Sequence, residues 1–257
     1  MTSASMTSTA VHVDSVTYHD EISPEALGKR KNYTSPQFIG TVVATALGLM
    51  SAYAGFNVPA SILGIINEDL HGGPEVSWVP VVYTLGLATA LPLIGRLSDI
   101  FGRRWFYIGG TALAMIGNVV CSRASGTNAF LAGTAMIGVA SGVQVSFNLV
   151  LGELVAAKDR GPFNALIFAW SIPFSIFAPT VARSFELDTE QHWRWCYYLG
   201  LIINSVGVGL WFFFYHPPDY RMLHVSGRSK GDMIKSLDWV GMFLFVPGLS
   251  VLLIGLN

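Results

Sequence analysis

Charge is what this sequence has least of. Asp, Glu, Lys and Arg make up 12% of its 257 residues, about half the roughly 25% of a soluble domain. So few charges cannot cover a water-facing surface, and an ordinary soluble globule is excluded. Hydrophobic residues reach 52% and the mean hydropathy is +0.50, so lipid takes the place of water as the main solvent. A net charge of −1 supplies no electrostatic footprint for a nucleic acid. The two cysteines, Cys121 and Cys196, set neither a disulfide framework nor a zinc spacing; a single bridge between them is conceivable, because both fall near the outer ends of their helices. The histidines have no ligand spacing, and no phosphate-cradling G-x-x-x-x-G-K-[ST] loop occurs. No cofactor and no enzymatic chemistry are implied.

What the chain has instead is long uncharged runs: Gln37–Asn67, Val76–Gly95, Trp105–Ser122, Ala124–Gly152, Gly161–Ala182, Trp195–Pro218 and Trp239–Asn257. A helix needs about 20 apolar residues to cross the hydrocarbon core. The shortest run, Trp105–Ser122, is credible with Trp105 and Tyr107 as interface anchors. Buried helices of a soluble protein would carry charged outer faces, and barrel strands would alternate over about 10 residues. These runs do neither. The reading is an all-α, multi-pass membrane protein.

The basic residues set its orientation. Twelve of the fifteen Lys and Arg fall in the tail and in alternate loops, leaving Arg123, Arg183 and Arg194 for the other side. The bias puts the N-terminus in the cytosol. Residues 1–36 are Ser/Thr-rich and read as a disordered cytosolic tail. Residues 37–218 hold six spans, with the first near Phe38–Ile62, the fourth near Phe130–Leu151 and the fifth starting near Pro162. Residues 219–238 form a polar cytosolic linker, and 239–257 a seventh span. Six helices, a longer inner linker and then more helix is how a transporter built from six-helix halves begins, so the chain reads as one whose C-terminal half is missing. A complete seven-helix receptor is the alternative, but such a protein starts outside.

Scarce charge is concentrated in one place, Gly95-Arg96-Leu97-Ser98-Asp99-Ile100-Phe101-Gly102-Arg103-Arg104-Trp105, between the second and third runs. Its spacing, G-x-L-x-D-x-x-G-R-R, resembles the loop signature of the major facilitator superfamily. Further blocks are Asn67-Glu68-Asp69-Leu70, Gly152-Glu153-Leu154-Val155, Lys158-x-Arg160-Gly161-Pro162, Trp193-Arg194-Trp195, Phe214-Tyr215-His216-Pro217-Pro218 and Asp238-Trp239-Val240-Gly241. With these, residues 34–257 resemble the fungal trichothecene efflux pump family. That family lies in the fourteen-helix drug:proton antiporter branch, which also contains siderophore–iron transporters.

The resemblance implies a transporter at the plasma membrane that exports a toxin, drug or secondary metabolite against protons by alternating access. Siderophore–iron uptake by proton symport is the alternative, and a truncated, non-transporting membrane fragment is another. Within the loop, Gly95 lets the second helix approach a neighbour closely. Asp99 can accept from Arg103 and face a helix N-terminus of the other half, and Gly102 permits the tight turn. Arg103 and Arg104 hold the loop inside and meet acidic lipid heads. Together they form a latch on one state of the rocking halves; the plainer reading is a positive-inside loop with an incidental Asp. Two positions depart from the branch. Thr134 stands where drug antiporters carry an arginine in the fourth helix, and Ala178-Pro179 replaces the Gly-Pro of the fifth-helix motif, although Pro179 can still kink that helix.

An ionisable group at the bilayer centre is a functional candidate by default, and these runs contain none. Glu153, at the inner end of the fourth run, is either a structural cap beside Lys158 and Arg160 or a proton-relay member. Tyr53 and Asn57 are four apart on the first run, and Gln144 and Asn148 are four apart on the fourth, hence on one helix face each. In facilitator folds these two helices line the cavity, so the four residues either contact substrate or bond helix to helix. Trp170 on the fifth run offers a stacking surface or simple packing. Gly138 and Gly142 form a G-x-x-x-G for close helix packing.

Overall fold

The computed structural model of the chain describes residues 33–216 together with Gly241, Leu244, Phe245, Pro247, Gly248, Val251 and Gly255, and for Arg96, Asp99, Ile100 and Phe101 the backbone alone. The tail 1–32, the stretch 217–240 that holds the expected linker, most of the seventh run and the Asp99 carboxylate lie outside the described residues.

Among the described residues there is no strand. The helices are α1 (Pro36–Ala60), α2 (Leu63–Asp69), α3 (Trp78–Phe101), α4 (Arg103–Ser122), α5 (Thr127–Val145), α6 (Asn148–Leu154), α7 (Arg160–Ile176), α8 (Ala178–Asp188) and α9 (Arg194–Phe214), with 3-10 turns at Pro74–Ser77 and Ala157–Asp159. Among the described residues five spans are long and apolar enough to cross a membrane: Pro36–Ala60, Pro74–Gly95, Arg103–Ser122, Thr127–Leu154 and Arg194–Phe214. The bent pair Ala157–Ile176 and Ala178–Asp188 makes a sixth if it crosses as one. The result is an all-α membrane fold.

Helix α1 starts where local chemistry says it should. Ser35 caps it by accepting from the Phe38 N–H at 3.2 Å, and Pro36 follows in the first turn, where its missing N–H costs nothing. The helix carries Gly40, Ala44, Gly48 and Ala52 at four-residue intervals, all buried. That small-residue stripe lets neighbouring backbones close in without any hydrophobic drive. Accordingly α1 is the central element, touching α5, α7 and α9, while α5 also packs on α3 and α4, and α9 on α4.

The tightest crossing is α3 against α5. A Cβ on Gly138 would stand 2.5 Å from the Tyr83 carbonyl oxygen, and one on Gly142 would stand 2.7 Å from the Ala90 Cβ. From the opposite side, a Cβ on Gly86 would meet the Val139 nitrogen at 3.0 Å. Close approach of α3 is thus made at Gly86. At Gly95, where the sequence suggests it, a Cβ would meet nothing within 4 Å.

Two spans expected to be continuous are interrupted. The fourth is interrupted by a turn at Ser146–Phe147, between α5 and α6: the Ser146 N–H is shared between the Gly142 and Val143 carbonyls, both at 3.2 Å, and the Leu149 N–H takes the Ser146 carbonyl at 3.0 Å, a tighter three-residue pairing. The fifth bends by 48° between α7 and α8. Here the cause is local, since Pro179 has no N–H to give the Ser175 carbonyl and its ring crowds that oxygen.

Candidate functional site

At one end of the bundle the chain turns from α3 into α4 through Gly102, whose φ of 93° and ψ of 125° suit only glycine without strain. The turn sets Arg103 and Arg104 at the first two positions of α4. Arg103 donates to the Leu149 carbonyl at 2.7 Å, and the same nitrogen lies 3.1 Å from a Glu153 carboxylate oxygen. The other Glu153 oxygen accepts from the Tyr215 hydroxyl at 3.0 Å. Burial first, and then the Glu153 charge, push the Tyr215 phenol well above its ordinary pKa, so it stays a neutral donor. The ion pair is 21% and 25% exposed on its two sides, sheltered enough to outweigh an open surface pair. Arg104 donates to the Phe212 carbonyl at 2.6 Å, with its guanidinium 5.4 Å from the Phe212 ring. Arg103 and Arg104 thus bolt the start of α4 to α6 and α9.

Glu153 and Arg160, close in sequence, turn to different partners. The Glu153 carboxylate meets Arg103 and Tyr215, while Arg160 donates instead to the Gly152 carbonyl at 2.6 Å and the Val155 carbonyl at 3.3 Å. Arginine there satisfies carbonyls that the end of α6 leaves open. Just outside the spans, the Tyr33 hydroxyl donates to Asp159 at 2.9 Å and accepts from the Ala156 N–H at 3.4 Å. The hydrogen bond to Asp159, ahead of burial, raises its pKa.

The mid-span polar residues part company. Gln144 is buried, and its amide donates to the Asn204 side chain on α9 at 2.7 Å; Asn204 in turn donates to the Gly200 carbonyl at 2.8 Å. The Gln144 bond thus runs from helix to helix. Tyr53 and Asn57 are half-buried on α1, Asn148 is exposed beyond the break, and Trp170 is 55% exposed on α7. These four remain open to an incoming molecule. Gln144→Leu leaves Asn204 short of a partner inside the bundle and should cost about 1–3 kcal/mol. Adding Asn204→Leu removes both partners together and should cost less than the single change. Thermal unfolding in detergent of the two variants checks the order.

Several groupings escape sequence reasoning. Tyr215 and Tyr107 are the chief ones. Tyr107 was expected at the lipid interface; it is 1% exposed and donates to the Ser146 carbonyl at 2.7 Å. Trp105, at 64% exposed, stands where an interface anchor would. At the opposite end, Asp69 accepts from the Trp193 indole at 2.9 Å and lies 3.4 Å from Arg194. The blocks holding these residues were visible in the sequence, but not their pairing. Thr134, where an antiporter arginine is expected, donates to the Phe130 carbonyl at 2.9 Å. Cys121 and Cys196 are both buried as free thiols, so no bridge forms.

Residues 19–257 match the family model described as fungal trichothecene efflux pump. The chain is 31% identical over 226 residues to the trichothecene efflux pump TRI12 of Trichoderma arundinaceum, covering 88% of this chain and 37% of that protein. It is 29% identical over 225 residues to the protein of the same name from Fusarium sporotrichioides, again 88% and 37%. It is 28% identical over 222 residues to the MFS-type efflux transporter pyiT of Pyricularia grisea, at 85% and 35%. The chain spans little more than a third of the length of these curated relatives.

Proposed function

The chain belongs to the fungal trichothecene efflux pump family, whose members are membrane transporters and not enzymes, and from that premise we propose that it supplies the first six-helix half of a proton-coupled exporter of toxins or secondary metabolites. The observation that carries the reading is the Gly102 turn with Arg103, Glu153 and Tyr215 gathered on it. A sheltered ion pair tying three spans at one end of the bundle is the kind of contact that holds one state of a rocking pair of halves and is broken in the other. The basic bias of the loops supports a cytosolic N-terminus, which puts this latch on the inner side of the plasma membrane. Asp99 and Gly95 complete the latch in this reading, and Pro179 supplies the flexure of the fifth span.

Substrate would meet Tyr53, Asn57, Asn148 and Trp170, whose polar or aromatic faces are not consumed inside the half-bundle. The remaining wall of the cavity, and the main proton carrier, would come from a second half. The test is a pump-deficient yeast strain expressing this chain alone, or joined to the second half of the Trichoderma relative, with both proteins detected in the membrane. The joined protein should restore growth on a trichothecene, and energised vesicles from those cells should lose substrate when a proton gradient is imposed. The chain alone should restore nothing. Proton-driven accumulation would turn the reading to uptake. No proton-dependent movement by a correctly inserted joined protein would overturn it.

A further inference from the structure

The interruption of the fourth span has a structure of its own. We infer that Ser146–Phe147 is a hinge, that the Tyr107 hydroxyl clamps it, and that α6 is the lever it carries. Tyr107 is then a positioning residue for transport. The inference rests on the transporter reading for its purpose, but not for its test.

Three observations converge. First, the break has neither Pro nor Gly, the usual interruptions of a helix; instead, a side chain from a neighbouring helix bonds to it. The Tyr107 hydroxyl sits 2.7 Å from the Ser146 carbonyl and 3.0 Å from the Ser146 hydroxyl. Because the Ser146 hydroxyl gives its proton to the Val143 carbonyl at 2.6 Å, the single phenolic proton is left to serve Ser146. With no water in the hydrocarbon region, such a group needs a partner from the protein.

Second, the two sides of the break are anchored differently. Above it, Gly138 and Gly142 press α5 onto α3 at backbone distance, and Gln144 is bonded to Asn204. Below it, a Cβ on Gly152 would meet only the flexible end of Arg160, at 3.9 Å. Helix α5 is held against α3 at backbone distance; α6 is held by side chains, with Val150 and Leu151 in the core and Arg103 at its polar face.

Third, both grips on α6 come from one face of α4, since Arg103 and Tyr107 are four residues apart. Arg103 holds Leu149 and Glu153, and Tyr107 holds Ser146. The Tyr107 ring stacks on Trp211 at 4.8 Å, and Trp211 meets Tyr215 edge-on at 5.1 Å, which returns to Glu153. The hinge and the latch are thus two ends of one connected set of side chains. When Arg103 releases Glu153, α6 turns about Ser146–Phe147 and carries exposed Asn148 with it, while Gln144 stays in place.

Hydrogen exchange read by mass spectrometry, on the whole chain in lipid nanodiscs, tests this without any substrate. In the unaltered chain, amides of residues 147–154 should exchange faster than those of 134–145. Tyr107→Phe keeps the ring and its stack and removes only the hydroxyl. It should speed exchange in 147–154 about fivefold and leave 134–145 unchanged, and that second window also reports that the bundle is intact. Uniform protection across the break in the unaltered chain overturns the hinge. Equal acceleration on both sides in Tyr107→Phe, or none, overturns the clamp. A failed export assay would leave both measurements standing, so the two readings fail separately.

Discussion

Gly138→Val should dismantle the bundle. A Cβ at this position lies 2.5 Å from the Tyr83 carbonyl oxygen and 3.1 Å from the Tyr83 Cα. Both are backbone atoms, so no rotamer change can relieve the overlap. Helix α3 cannot simply withdraw, because the Tyr83 hydroxyl donates to the Ala52 carbonyl at 3.0 Å and ties α3 to α1. Nor can α5 move away, since its other faces pack on α4 and α1. Overpacking a well-filled core costs about 1–3 kcal/mol when side chains can adjust, and here they cannot, so at least about 3 kcal/mol is expected. In detergent that should lower the thermal midpoint by about 10 °C and shift size-exclusion profiles from a single peak towards aggregate. Gly152→Ala is the control. It also adds a methyl to a helical glycine in the same span, but at an ordinary contact distance of 3.9 Å from the flexible end of Arg160, and alanine favours the helix by about 1 kcal/mol. Its midpoint should hold or rise. Equal behaviour of the two variants would mean that the α3–α5 crossing is looser than its glycines suggest.

The contrast bears on what could be read from sequence. The spans are legible because each is an uncharged run long enough for a bilayer, a property of consecutive residues. The Gly138-x-x-x-Gly142 contact is legible for the same reason: a spacing of four puts both on one face. Pro179 announces its bend through its missing N–H. What the sequence hides is set by groups from other spans. The fourth span runs unbroken in any local reading, because nothing in Ser146-Phe147 stops a helix; the partner that favours the break, Tyr107, lies on α4. The same tyrosine, two residues from Trp105 near the end of a run, reads as an interface anchor, and only the Ser146 carbonyl and the Trp211 ring explain its burial. Glu153 offers Lys158 and Arg160 to a local reading and pairs instead with Arg103 and Tyr215. Gln144 and Asn148 share a face by spacing, yet one bonds across the bundle to Asn204 and the other is exposed, since the break falls between them.

Arg103→Ala should be the most damaging change at the charged end, and Glu153→Gln should partly repair it. Removing Arg103 deletes at least two interactions at once, the ion pair with Glu153 and the hydrogen bond to the Leu149 carbonyl. It also leaves a carboxylate, only 25% exposed, with one cation fewer. Stripping a partner from a fully buried pair costs about 3–5 kcal/mol, and from an exposed one about 0–1. The partial shelter here places Arg103→Ala near 2 kcal/mol. Glu153→Gln alone should cost less, because a glutamine oxygen can still accept from Tyr215 and Arg103 keeps Leu149. In the double variant the carboxylate that lost its Arg103 partner is gone too, so the loss should fall short of the sum of the two singles by about 1 kcal/mol. Exchanging the charges, Arg103→Glu with Glu153→Arg, should fail to rescue. A glutamate at position 103 would face the Leu149 carbonyl, and an arginine at 153 could accept nothing from the Tyr215 hydroxyl. Thermal unfolding of the four variants in one detergent measures the cycle. Strict additivity of Arg103→Ala and Glu153→Gln, or full rescue by the exchange, would reduce the grouping on α4, α6 and α9 to adjacent but uncoupled charges, and the latch would lose its physical basis.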